Sequence, residues 1–174
     1  MELTVAVKLI EKGIAGETPQ TWLDLGAGNG TFTIALATML TPGSTIYAID
    51  RDESALKKIA FPRRDVSLIK IRKDFTREEL NIEISDGILM ANSLHFVADK
   101  ISFFKRIKKV VKKTLRVVVV EYDSDSGNQW VPYPISFVSL QKLCIESGIS
   151  SPNKIGDTPS IYQRSRIYSA LLML

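Results

Sequence analysis

Short runs of aliphatic, β-branched and aromatic residues alternate along the chain with longer stretches of mixed polarity. The runs WLDL at 22–25, STIYAI at 44–49, VSLIKI at 66–71, DGILMA at 86–91 and VVVV at 117–120 predict strands. The run at 86–91 is continuously apolar, as a central parallel strand buried on both faces is. Helices are predicted over 31–40, 54–61, 100–116 and 135–147. The first stops at Pro42-Gly43, the second at Pro62 and the last at Gly148 acting as a C-cap. Within 100–116, Ile101, Phe104, Ile107, Val111 and Leu115 recur at spacings of three and four and predict one buried stripe. Residues 1–16 hold one short amphipathic helix, with Val5, Leu9 and Ile10 on its apolar face and Lys8, Glu11 and Lys12 outside. Residues 78–80 with Ile82 form a short helical or irregular return. Two further strands fall at 151–156 and 166–174, and the short link between them predicts antiparallel pairing. Residues 124–134, SDSGNQWVPYP, are the least regular stretch.

Length and composition narrow the class. A chain of 174 residues is one domain by the usual size prior, and it is long enough to bury most of its apolar surface. Apolar residues make up 45% and charged residues 24%, which fits a globular protein in water. Cys144 is the single cysteine, so no internal disulfide forms and a reducing cytoplasm is the natural home. It lies among Leu140, Leu143 and Ile145 with no activating base near it in sequence, which predicts packing rather than nucleophilic chemistry. No signal peptide, bilayer-spanning apolar run or internal repeat is visible.

Candidate chemistry begins at residues 21–33, TWLDLGAGNGTFT. Gly26, Gly28 and Gly30 follow the first strand at alternate positions, and a helix opens at Thr31. Strand, glycine turn and helix are how an α/β sheet offers backbone N–H groups to a ligand. The dinucleotide pattern G-x-G-x-x-G would need a third glycine where Thr31 stands, and no Gly-Lys-Ser/Thr follows to make a phosphate loop. Asp24, just before the first glycine, would repel a pyrophosphate and suits a ligand that is cationic there. The bland alternative is a tight turn with no ligand. Asp50 ends the second strand about 20 residues on, where an acid can accept from both hydroxyls of a ribose. Asp52 and Ser54 are better placed than Asp50 to cap the following helix.

LDLGAGNGTFT, AIDRDESAL and KDF at 73–75 together resemble the class I S-adenosylmethionine-dependent methyltransferases, in motif order over nearly the whole chain. The resemblance implies a three-layer, Rossmann-like α/β fold over 1–174. Its seven-stranded sheet would be mostly parallel, with an antiparallel last strand. It also implies S-adenosylmethionine lying across the C-terminal strand ends and S-adenosylhomocysteine as product. Asp24, Gly26, Ala27, Gly28, Asn29 and Gly30 would hold the methionine end. Asp50 would hold the ribose, with Arg51 beside it. Asp74 would accept from the adenine amino group with Phe75 beside the ring. Asn92 and Ser93, at the exit of the fourth strand, would complete the cofactor contacts. No metal is called for.

The exit Asn92-Ser93-Leu94-His95 lacks the prolines of the Asn/Asp-Pro-Pro-aromatic run that resembling enzymes use on planar nitrogens, so amino methylation of a nucleobase is not supported. His95 is the only histidine. An imidazole changes charge near neutrality, which suits a general base, although a lone histidine is also commonly structural. Asn92 could orient the acceptor. Glu121 and Tyr122, at the end of the fifth strand, are candidates for substrate contact or for turn capping. Trp130 and Tyr133 in the 124–134 loop are candidates for an aromatic lid over the methyl donor; Trp130 could instead pack over the sheet edge. Lys105, Arg106, Lys108, Lys109, Lys112 and Lys113 could form a nucleic-acid patch, but they are interspersed without an aromatic platform, and a net charge of +4 is mild. The expectation is a methyltransferase acting on a small molecule by direct displacement. A nucleic-acid or protein methyltransferase and a non-catalytic cofactor-binding protein are the alternatives. The oligomeric state is left open.

Overall fold

The computed structural model describes residues 1–80, 82, 86–110, 114–160 and 166–174. In chain order these form α1 (Leu3–Ile10), β1 (Thr21–Leu25), α2 (Thr31–Met39), β2 (Thr45–Asp50), α3 (Glu53–Lys57), β3 (Ser67–Arg72), β4 (Gly87–Ala91), α4 (Lys100–Val110), β5 (Arg116–Tyr122), α5 (Phe137–Glu146), β6 (Asn153–Pro159) and β7 (Arg166–Met173). Single 3₁₀ turns lie at Glu11–Gly13 and Leu94–Phe96.

The strands form one seven-stranded sheet in the order β3-β2-β1-β4-β5-β7-β6. Neighbours from β3 through β5 pair in parallel, and β7 runs antiparallel to both β5 and β6. The sequence expected this architecture, including the reversed last strand. The order turns back between β1 and β4, and ligands of open α/β sheets sit outside the strand ends at such a point.

Two apolar layers sandwich the sheet, and strand alternation assigns residues to them. Trp22, Ile46, Leu89, Val118 and Val120 pack with α1 and α2 on one face. Leu23, Ile88, Met90, Val117 and Val119 pack with Phe103, Phe104, Ile107, Leu140 and Cys144 of α4 and α5 on the other. Ile88, Leu89 and Met90 are fully buried, worth roughly 1.5–3 kcal/mol each. Cys144 packs in this core and its thiol is pushed up to about 11 by burial, as its apolar neighbours foretold.

Four expectations need correction. The helix expected over 54–61 stops at Lys57: Ile59 N–H bonds tightly back to the Leu56 carbonyl, and the chain must extend ahead of Pro62. The helix expected through Arg116 is described only to Val110, and Arg116 opens β5. Leu115 is buried because its backbone pairs with Leu174 beside the sheet, which happens to continue the helical spacing. Val111, Lys112 and Lys113 lie outside the described residues. In α1 the buried face is Ala6, Leu9 and Ile10, set against α2 and β6, with Val5 at its margin. Trp130 does not pack over the sheet edge, being 75% exposed.

Candidate active site

At the exit of β1, the N–H groups of Gly26 and Ala27 donate to the Ile49 carbonyl at 2.8 and 3.1 Å, tying the glycine turn to the end of β2. Gly26 has φ +83°, and a Cβ there would stand 2.5 Å from the Ser93 Cβ, so close packing requires a glycine. Gly28, at φ +52°, differs: a Cβ there would meet nothing within 4 Å, because it would project into open space at the strand ends.

Acidic side chains brace this turn. Asp50 accepts from Gly28 N–H at 2.8 Å through one oxygen and from Asp52 N–H at 2.9 Å through the other. Asp52 caps α3, accepting from Ser54 and Ala55 N–H. Asp24 lies on the α2 side of β1, is buried, and accepts from the Thr33 hydroxyl at 2.6 Å. Burial pushes its carboxyl up to about 7; the Thr33 bond opposes this, and the Asp50 charge adds to it. Asp74 follows β3, and one of its oxygens accepts from both Thr76 N–H and the Thr76 hydroxyl, at 3.0 and 2.6 Å.

Across the reversal in strand order, β4 is followed by Asn92, a non-glycine residue held at φ +52°. Its N–H donates to the Val120 carbonyl at 2.8 Å, while its Oδ1 is buried with no partner among the described residues. A left-handed asparagine with an unanswered acceptor is a strained and polar position of the kind found at ligand sites. Ser93 is buried and donates to the Leu25 carbonyl at 2.5 Å.

These residues line one groove in two reaches. Asp24, Gly26, Ala27, Gly28, Asn29 and Asn92 line the first, with Met1 at its edge. Gly26, Asp50, Arg51, Asp74, Phe75, Asn92 and Ser93 line the second, together with Lys73, Thr76 and Phe96. The structure thus brings together all the cofactor candidates except Gly30, which caps α2 just behind. The Arg51 guanidinium stands 5.7 Å from the centre of the Phe96 ring. Phe96 and Thr76 also border an adjoining cleft of about 410 Å³, closed by Arg77, Ala98, Asp99, Ser102, Phe103, Arg106 and Tyr133.

The remaining candidates sit elsewhere. Glu121 is fully buried inside β5, on the α4 and α5 face, rather than at an exposed exit. Its two oxygens accept from His95 N–H at 3.1 Å and His95 Nδ1 at 2.8 Å. A carboxylate only accepts, so Nδ1 carries the proton. His95 is buried against Phe96, with ring centres 4.3 Å apart, and its carbonyl accepts from Tyr133 N–H. Lys100 adds to the same brace, donating to the Val97 and Tyr133 carbonyls; burial holds its ammonium below the usual lysine range, partly offset by Glu121. His95 and Glu121 therefore line neither the groove nor the cleft. Tyr122 ends β5 with its ring centre 6.4 Å from that of His95. Tyr133 reaches the cleft and Trp130 stands in solvent. Sequence reasoning passed over Phe96, Thr76 and Arg77, and weighed Arg106 only as part of a nucleic-acid patch. Phe96 alone had a signal, its place four residues beyond Asn92 at a strand exit.

A sequence profile of the methyltransferase domain family matches residues 18–162. The chain belongs to this family. It is an S-adenosylmethionine-dependent methyltransferase of class I. No curated relative matches the sequence. Among solved structures, it is similar to an S-adenosylmethionine-dependent methyltransferase from Aquifex aeolicus, at 18% identity and TM-score 0.67, covering 97% of this chain and 88% of that one. A putative methyltransferase from Listeria monocytogenes matches at 15% identity and TM-score 0.68, over 99% of both chains. Magnesium protoporphyrin IX methyltransferase from Synechocystis PCC 6803, solved with S-adenosylmethionine bound, matches at 15% identity and TM-score 0.64, over 97% of this chain and 76% of that one. S-adenosylmethionine is the cofactor of the family. Among the described residues no helix is long and apolar enough to cross a membrane.

Proposed function

We propose that this methyltransferase acts on a small-molecule nucleophile, with the cofactor held in the groove at the ends of β1 to β4. Two features of the groove fit the cofactor: the buried Oδ1 of Asn92, without a partner among the described residues, and the open space above Gly28. Asp24 would face the ammonium of the methionine end, where a cation relieves its burial. Asp50 keeps lone pairs for two ribose hydroxyls while bracing Gly28 N–H. Asp74 keeps one oxygen for the adenine amino group, and Arg51, Phe75 and Phe96 offer surfaces to the base. When bound, the cofactor supplies an electrophilic methyl group on a sulfonium.

The small-molecule reading rests on the adjoining cleft, whose volume of about 410 Å³ is of small-ligand size and which meets the groove at Phe96 and Thr76. The chain contributes position more than proton transfer. His95 is committed to Glu121 and lines neither the groove nor the adjoining cleft, so we read it as a brace for the turn carrying Phe96. Asn92 fixes the exit of β4. Holding nucleophile and donor in alignment supplies a large part of the rate in displacements of this kind.

The test is calorimetric titration with S-adenosylmethionine, S-adenosylhomocysteine and NADH, beside Asp50→Ala, followed by transfer of labelled methyl to small-molecule or RNA fractions. Micromolar binding of the two sulfur nucleotides, lost in the variant, and label in the small-molecule fraction are expected. NADH binding alone would overturn the cofactor assignment. Label in RNA, with steeply salt-dependent RNA binding, would overturn the acceptor assignment.

A further inference from the structure

Phe96 and Tyr133 are large aromatic side chains left 41% and 49% exposed, and both line the cleft beside the cofactor groove. Phe103 forms its floor, in edge contact with Phe75 at 6.2 Å between ring centres. Flat aromatic surfaces around a concavity favour a flat ligand, which stacks on them at little entropic cost.

The polar groups narrow the ligand further. Arg106 is held in place twice: its Nη2 donates to the Phe75 carbonyl at 2.8 Å, and its guanidinium lies 5.5 Å from the Phe103 ring centre. Arg77 also lines the cleft, with its side chain 86% exposed and its Nε 3.8 Å from an Asp74 oxygen. The acid in the lining is Asp99, and its carboxylate is committed to the start of α4, accepting from Ser102 N–H at 2.9 Å. Two guanidiniums line the cleft against the engaged Asp99 carboxylate, and Asp74 beside the lining offsets Arg77 in part, which leaves Arg106 as the better placed of the two for an acid. A guanidinium fixed in advance binds a planar carboxylate or a phosphate through paired hydrogen bonds without first losing its own freedom.

We propose that this cleft binds a flat aromatic acid, carboxylate or phosphate, and that such an acid is the methyl acceptor. The proposal rests on the small-molecule reading above and names the substrate class. The acid group lies toward Arg77 and Arg106, and the opposite edge of the ligand meets Phe96, the residue shared with the cofactor groove.

Benzoate and phenyl phosphate serve as probes on the full chain, with benzyl alcohol and benzylamine as neutral and cationic counterparts. Dissociation constants are measured by ligand-observed NMR with and without saturating S-adenosylhomocysteine. The acids should bind about tenfold or more tighter than their counterparts, and S-adenosylhomocysteine should leave that binding intact. The double variant Arg77→Gln/Arg106→Gln should weaken the acids about tenfold. Arg77→Gln alone, at an exposed position, should weaken them by a smaller factor with melting unchanged. Ala98→Trp, which fills the cleft from an exposed position, should abolish all probe binding. Cofactor-product affinity should be unchanged in Ala98→Trp. Equal binding of benzyl alcohol, no binding of any probe, indifference to the arginine variants, or displacement of the acids by S-adenosylhomocysteine would each overturn the proposal. Failure of S-adenosylhomocysteine to bind would strike the cofactor assignment, while discrimination between the probes still judges the cleft.

Discussion

Replacing Asp24 by Asn keeps its shape and its acceptor for the Thr33 hydroxyl but removes its charge. In the folded protein this carboxyl is raised from 3.8 to about 7, chiefly by burial. Each pH unit between those two values is worth about 1.4 kcal/mol, so ionising the buried group costs the cofactor-free protein roughly 4 kcal/mol relative to the unfolded chain. Between about pH 4 and 7 the folded state keeps a proton that the unfolded state releases. This group's contribution is therefore fully present below pH 4, declines by about 1.4 kcal/mol per unit as pH rises, and levels off above 7. The variant lacks that slope. Urea denaturation without cofactor should show Asp24→Asn gaining roughly 3 kcal/mol on the parent between pH 5 and 7.5. Asp52, Glu53, Asp65, Asp99, Asp125 and Asp157 are all held below the usual carboxylate range by their hydrogen bonds, so they titrate below this window and in both proteins alike. Asp24 facing the ammonium of S-adenosylhomocysteine also implies release of about one proton on binding at pH 6, read from calorimetry in buffers of different ionisation enthalpy. The variant should release none and bind more weakly. Parallel stability curves for the two proteins would refute the burial argument.

Four further outcomes follow from the geometry. His95→Gln, which can still donate to Glu121, should keep kcat within about threefold while raising the cofactor KM, whereas loss of a general base would lower kcat by about 10²–10⁴ and flatten the acid limb of the pH profile. His95→Ala should lower stability by roughly 3 kcal/mol, read by urea denaturation, because it strips the imidazole from one oxygen of buried Glu121 and leaves it the backbone N–H of residue 95 and the Lys100 charge. Gly26→Ala should lower the melting temperature sharply, since the new methyl meets Ser93. Gly28→Ala should cost only about 1–2 kcal/mol for its left-handed backbone and instead weaken cofactor binding; unchanged binding by Gly28→Ala would contradict the assignment of that open space to the cofactor.

Much of this was legible because it is local in sequence. The turn from Asp24 to Gly30, the acid ending β2 and the apolar run of β4 each announce themselves within a few residues, and the order of strands and helices carries the sheet. The brace was not legible. Glu121 reads as an exposed strand exit because nothing near it in sequence reveals that β5 continues through it into the α4 and α5 layer, toward a histidine 26 residues earlier. The cleft was hidden for the same reason: Arg77, Phe96, Arg106 and Tyr133 come from four separate stretches, and only folding makes them neighbours. Leu115 misled in the other direction, since burial beside a strand mimicked the next turn of a helix.

The position of β7 has a consequence for synthesis. It is last of the seven strands in chain order, yet it lies between β5 and β6. As a nascent chain leaves the ribosome, β6 has no partner and β5, with its run of four valines, has one open side until residues 166–173 arrive. A bare edge of that kind recruits other chains. Translation stalled before residue 166 would thus expose the most adhesive strand of the sheet, making this protein a client for chaperones during that interval and a poor candidate for truncation from its C-terminal side.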